Sequence, residues 1–225
     1  PFALLLSPRE TLSRLNSTPR WMWRFIILSA LSIILYISVH PFLVQATLAH
    51  LPPSATLEEK EVVAQTLRNE LPLRCAFLPF RLLLGWSSFA FLLFGLIKAF
   101  APPAPVRILK VFSLEVLAEL FNLLAHLATL LALLAKGIDS PNATSLIPFS
   151  AAAFVHTEDI IGYSLLNSLN FFTLLYIVLL SMGISVQSGL TRSKSVAIVL
   201  LAWTTVVLFN AGALKLLRDT MHLLI

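Results

Sequence analysis

Charge is scarce in this chain: only 12% of its 225 residues are Asp, Glu, Lys or Arg, about half the share found in soluble domains. A surface of the ordinary water-facing kind is thereby excluded. Cys75 is the only cysteine, so no intrachain disulfide staples a small secreted fold. Polar tracts and a glycine repeat are also missing, which excludes a disordered chain and a collagen-like one. The net charge of +5 comes without the basic run that tracks a phosphate backbone, so nucleic acid is not an expected partner. What remains is apolar: 58% hydrophobic residues and a mean hydropathy of +0.88. The composition is that of an integral membrane protein whose first partner is the lipid bilayer.

A helix crosses the bilayer core with about 20 apolar residues, and five runs of that kind occur. They cover about Phe25 to Leu48, Leu82 to Phe100, Val106 to Ala135, Leu165 to Val186 and Val196 to Leu217. The expected fold is an all-α, polytopic membrane bundle of five transmembrane helices in a single domain, residues 1–225. The third run is long for one crossing, about 45 Å at 1.5 Å per residue, and is expected to tilt or to begin in the interface. Pro41 is expected to kink the first helix or end its regular part near His40.

Basic flanks stay in the cytoplasm. With the N-terminus inside, that side holds Arg9, Arg14, Arg20, Arg24, Lys98, Arg107, Lys110, Arg192 and Lys194 against the single acid Glu10, whereas acids and bases nearly balance on the other side. The N-terminus is therefore expected in the cytoplasm and the C-terminus outside. Trp21 and Trp23 fit the aromatic belt at the interface. No cleavable signal peptide is expected, since Ser7-Pro8-Arg9-Glu10 interrupts the apolar start. Ser7 and Glu10 form a capping box with Pro8 at the first helical position, predicting a short interfacial helix from about Pro8 to Leu15. A second box, Thr56 with Glu59, predicts a soluble helix from about Leu57 to Leu71, with Pro72 and Pro79 delimiting the approach to the second span. Pro102, Pro103 and Pro105 stiffen the next turn, and Lys136 to Gly162 is the longest external connection.

Several residues along this order of features resemble the Yip-domain (Ypt-interacting protein) family, in its compact bacterial form. They are Leu6-Ser7-Pro8-Arg9-Glu10-Thr11-Leu12 and Pro19-Arg20-Trp21 before the first span. Further on come Phe171, Phe172, Leu175, Tyr176, Met182-Gly183-Ile184, Ser193-Lys194 and Trp203 in the last two spans. Tyr176 stands where the family has tryptophan. The resemblance implies a five-span bundle with a cytoplasmic N-terminus, in a bacterial cytoplasmic membrane rather than a eukaryotic endomembrane. It also implies an accessory or scaffolding role. The long polar N-terminal region through which eukaryotic relatives contact small GTPases is not in this sequence, so that partner is not carried over.

The third span carries the sharpest chemical feature. Glu115, Glu119, Asn122, His126 and Thr129, at 100° per residue, share a stripe roughly 80° wide. An acid at the bilayer centre costs about 2.5–3.5 kcal/mol on insertion scales, so such groups face the bundle interior and carry function by default. Glu115 also lies within two turns of Lys110 and Arg107, so a place at the cytoplasmic interface competes with that reading. Asn122 and His126 serve equally well as interhelical hydrogen-bonding groups. Ser29, Ser32, Tyr36 and His40 form a companion stripe on the first span, placed to face the third. Ser32, Tyr36 and His40 are thus its expected interhelical partners.

Neither a metal site nor a cofactor is expected, because no His-Glu-x-x-His pair, phosphate loop, nucleophile elbow or dinucleotide fingerprint occurs. Gly183, between Ser181 and Ser185, reads as a point of close helix approach. Asn142-Ala143-Thr144 is a glycosylation sequon, meaningful only in a secretory pathway. The leading expectation is a non-enzymatic accessory or scaffolding component that binds other membrane proteins or copies of itself. The alternative is a small transporter or channel subunit using Glu115, Glu119 and His126. A packed stripe without a cavity favours the first, and a polar cavity reaching the acids favours the second.

Overall fold

The structure is a computed structural model that describes residues 21–101, 105–137, 147–154 and 159–222. The interfacial helix expected near Pro8, Pro102 and Pro103, the sequon at Asn142 and His156 lie outside the described residues. Six α-helices follow one another there: α1 (Trp21–Ala49), α2 (Leu57–Phe100), α3 (Ile108–Lys136), α4 (Ile160–Ser168), α5 (Phe171–Ser188) and α6 (Arg192–His222). A single 3-10 turn, Ala151–Ala153, precedes α4. All but α4 are long and apolar enough to cross a membrane, so the five-span bundle expected from the sequence is the fold observed.

Two boundaries differ. The soluble helix and the second span are one continuous 44-residue helix, α2, opened by the expected capping box: Thr56 N donates to Glu59 Oε2 at 2.7 Å and Glu59 N to Thr56 Oγ1 at 3.2 Å. Pro72 and Pro79 lie inside it. Each removes one backbone donor and pushes back the carbonyl four residues earlier, and helices packed against neighbours tolerate that loss. The fourth span begins at Phe171, not near Leu165, because Asn170 ends one helix and starts the next. Its Oδ1 accepts from Thr173 N at 2.9 Å while its Nδ2 donates to Asn167 O at 3.1 Å. Ala151 N, donating to Leu169 O at 2.9 Å, holds the 3-10 turn against this break. Pro41, by contrast, does not end α1, which runs on to Ala49.

The centre of the bundle is α3, which packs against α1, α2 and α5, while α6 packs on α2, α4 and α5. Every residue from Val111 to Val116 is buried, so this stretch touches protein on all sides. Lipid tails are as apolar as leucine, so such contacts are held by van der Waals packing and interhelical hydrogen bonds. Gly183 supplies a close approach: a β-carbon there would collide with the side chain of Leu114, itself fully buried. Gly189, at φ 70°, ends α5 in the left-handed conformation that glycine adopts without strain.

Trp21 stacks edge-on against Phe112 with centroids 5.1 Å apart, and Gln187 Nε2 donates to Lys110 O at 3.3 Å. The start of α1, the start of α3 and the end of α5 therefore share one end of the bundle. Lys98, Lys110, Arg192 and Lys194 belong to that end, the basic end.

Candidate functional site

On α3, Glu115 and Glu119 stand one turn apart, where side chains four residues apart meet. Glu115 is 1% exposed, covered by α5 at this turn. Tyr176 Oη of α5 donates to Glu115 Oε1 at 2.7 Å. The other carboxylate oxygen, Oε2, is buried without a hydrogen-bond partner. Glu119 is half-buried and accepts from Asn122 Nδ2 on both oxygens, at 3.1 Å each. Trp86 of α2 and Glu115 also interact with it.

These groups line a cavity of about 270 Å³ between α2, α3, α5 and α6, with Gly85, Trp86 and Phe89 on α2, Thr173 and Tyr176 on α5, and Trp203, Val206 and Val207 on α6. Two acids, an amide, a phenol and two indoles thus converge in the interior of a membrane bundle. Two carboxylates one turn apart repel each other when both are charged, and a proton or cation held between them removes that repulsion. The chemistry available is binding and release of positive charge.

The outer half of the stripe goes elsewhere. His126 is exposed, and it lines a second cavity of about 250 Å³ with Thr129, Ser32, Tyr36 and Arg81. Thr129 is buried and donates to Ala125 O of its own helix. The α2 residues opposite the stripe run Phe89, Trp86 and Gly85 beside the acids, then Leu82, Arg81 and Leu78 beside His126. The stripe therefore faces α2 along its whole length, and α1 joins only at its outer half. The pairing expected with the first span is found at this outer half. Ser32 and Tyr36 do meet α3, at His126 rather than at the acids. His40 is buried, and its Nε2 lies 3.2 Å from Leu67 O of α2. Ser29 is buried with its hydroxyl unpartnered.

Sequence reasoning named Tyr176 and Trp203 only for the family resemblance, and passed over Trp86 and Arg81 as site residues. A usable signal existed for Tyr176, the one phenol of α5, because a buried tyrosine hydroxyl needs a partner. Among the described residues, no three of His, Cys, Asp and Glu converge as metal ligands. The fold and this site define a five-span integral membrane protein with an acid pair inside the bundle. No protein family, no curated protein and no solved structure matches the chain, so the resemblance to the Yip-domain family stands on the residues quoted for it alone.

Proposed function

We propose that this chain is a non-enzymatic subunit of a membrane transporter or channel, and that Glu115 and Glu119 take up and release a proton or small cation. The carrying observation is the 270 Å³ cavity that reaches both acids, the feature that separates this reading from a purely structural stripe. Protein surrounds the pair, which lowers the local dielectric and makes a captured positive charge worth more than in water. Among the described residues the five spans form no broken helix pair, and such a bundle is not a self-contained carrier, which is why the reading is of a subunit, completed by other copies or by a partner. In this reading the basic end faces the cytoplasm of a bacterial cell. Vesicles carrying the chain are expected to pass protons or alkali cations faster than protein-free vesicles, and Glu119→Gln to remove most of that flux. A flux equal to that of empty vesicles, or one unchanged in Glu119→Gln, overturns the proposal. Orientation has its own test: an impermeant maleimide is expected to label Cys75 from outside intact cells, and labelling only after permeabilisation reverses the topology.

The second reading, an accessory component that binds another membrane protein, is favoured by one surface. Leu73, Phe77, Phe80 and Leu84 are exposed along one face of α2. A crossing of about 20 residues counted back from Phe100 leaves Leu73 and Phe77 beyond the hydrocarbon core, where lipid tails do not cover them. Extraction in mild detergent, with mass spectrometry of what co-purifies at fixed stoichiometry, tests this. A partner lost in Phe77→Ser supports the accessory reading, and a chain recovered alone removes it.

A further inference from the structure

The cavity between α2, α3, α5 and α6 has two features that a proton or a bare metal ion does not use. Its walls are aromatic: Trp86, Phe89, Tyr176 and Trp203 surround the acid pair. Its mouth lies where Gly85 is exposed and has open space beside its α-carbon. Aromatic faces carry negative potential and attract cations that shed water easily, and quaternary ammonium groups are held this way. A hard metal ion needs six or more oxygens for Ca²⁺, or near-octahedral oxygen and water for Mg²⁺. Here Tyr176 Oη already occupies Glu115 Oε1, and the Asn122 amide points its donor at Glu119. Glu115 Oε2 is buried with no donor on it, so a cation against this wall balances a carboxylate that the protein itself leaves half-satisfied.

We infer that the ligand of this site is a small organic ammonium ion, held by Glu115 and Glu119 against the rings of Trp86, Phe89, Tyr176 and Trp203, and admitted past Gly85. The inference rests on the cation-binding reading above and names its substrate class. The volume of about 270 Å³ lies just under the usual range for drug-sized ligands, which fits a compact ammonium and not a long amphiphile. Gly85 is exposed and lies inside the second crossing, a position that a cation with apolar substituents reaches from the lipid.

The test uses the full chain in mild detergent, with benzyltrimethylammonium as the probe and neopentylbenzene, the same shape with carbon in place of nitrogen, as its neutral counterpart. Calorimetric titration is expected to show binding of the ammonium and at least tenfold weaker binding of the hydrocarbon. Glu115→Gln, which keeps the volume, is expected to weaken the ammonium about tenfold or more, and Trp203→Leu by between about twofold and thirtyfold. Gly85→Leu, with open space for its side chain, is expected to slow association while the fold is kept. Equal affinity for the two probes, or no binding of the ammonium by the unaltered chain, overturns the inference. If ammonium binding is absent while Glu119-dependent flux of protons or alkali cations persists, the substrate class is wrong and the transport reading stands. If both are absent, both fall.

Discussion

The two halves of α3 carry one polar stripe at one angular position, yet they live in different surroundings. From Val111 to Val116 every side chain is buried, including Ser113 and Glu115. From Leu124 onward the helix exposes Leu124, Leu127, Leu131 and Leu134, and His126 with them. The difference arises from depth, since α5 lies against the inner half through Gly183 and Tyr176. The outer half meets the second cavity, bordered by α1 and α2. Helical period says which residues share a face, and only the neighbours at each level say whether that face is core, cavity or lipid contact.

The sharpest way to break this comparison is to truncate one leucine in each half. Leu114 is fully buried and Leu131 is 57% exposed. Leu114→Ala is expected to cost about 2–5 kcal/mol, because the atoms it loses leave a void between α3 and α5 that close packing cannot refill. Leu131→Ala is expected to change stability by about 0.5 kcal/mol or less, since lipid replaces the missing contacts. Equilibrium unfolding in mixed micelles measures both, and equal losses would remove the distinction between the halves.

Gly183→Ala probes the same contact from the other side. The added methyl meets the fully buried Leu114 side chain, which has no open space to yield into. An overpacking cost of about 1–3 kcal/mol is expected, read as a lower melting temperature in detergent. The double variant Gly183→Ala with Leu114→Ala gives a further check, because the methyl then enters the void and the two costs fall short of additivity.

How far the sequence reached follows from the same physics. The five spans were legible because bilayer thickness fixes the length of apolar run a crossing needs, and the Thr56–Glu59 cap because both of its members are local. The path of α2 through Pro72 and Pro79 was not legible: proline reads as a helix end unless packing elsewhere outweighs the lost hydrogen bonds. The start of α5 was hidden because Asn170 sits in a stretch apolar enough to read as one span, and its two-sided capping is a property of the fold. For the site, the spacing of Glu115, Glu119 and Asn122 correctly grouped residues that share a cavity. It did not say that the stripe faces α2, nor that Tyr176, 61 positions along the chain, closes on Glu115. Periodicity describes one helix by itself, and partners on other helices lie beyond it.

Tyr176→Phe tests that long-range bond with almost no change in volume. Removing the phenolic donor leaves both oxygens of a buried carboxylate without a partner. The expected loss is about 1–2 kcal/mol, the scale of an interhelical hydrogen bond in a membrane. Combining it with Glu115→Gln in a double-mutant cycle isolates the pair, and an interaction energy near zero would show that Tyr176 holds the helices by packing alone.

The smallest effect is expected at the outer end of the stripe. His126 is exposed, and its neighbours in the second cavity, Ser32, Tyr36 and Arg81, border a space rather than a closed contact. His126→Ala therefore removes surface from a cavity wall and leaves no buried donor or acceptor stranded, so a change within about 0.5 kcal/mol is expected. The same substitution at Asn122, whose amide donates to both oxygens of Glu119 at 3.1 Å, takes a donor away from that acid and is expected to cost more, toward 1 kcal/mol. Comparing the two by unfolding in the same micelles places the border between the packed and the exposed parts of the stripe. A His126→Ala loss matching that of Asn122→Ala would move the border outward and make the second cavity part of the packed core.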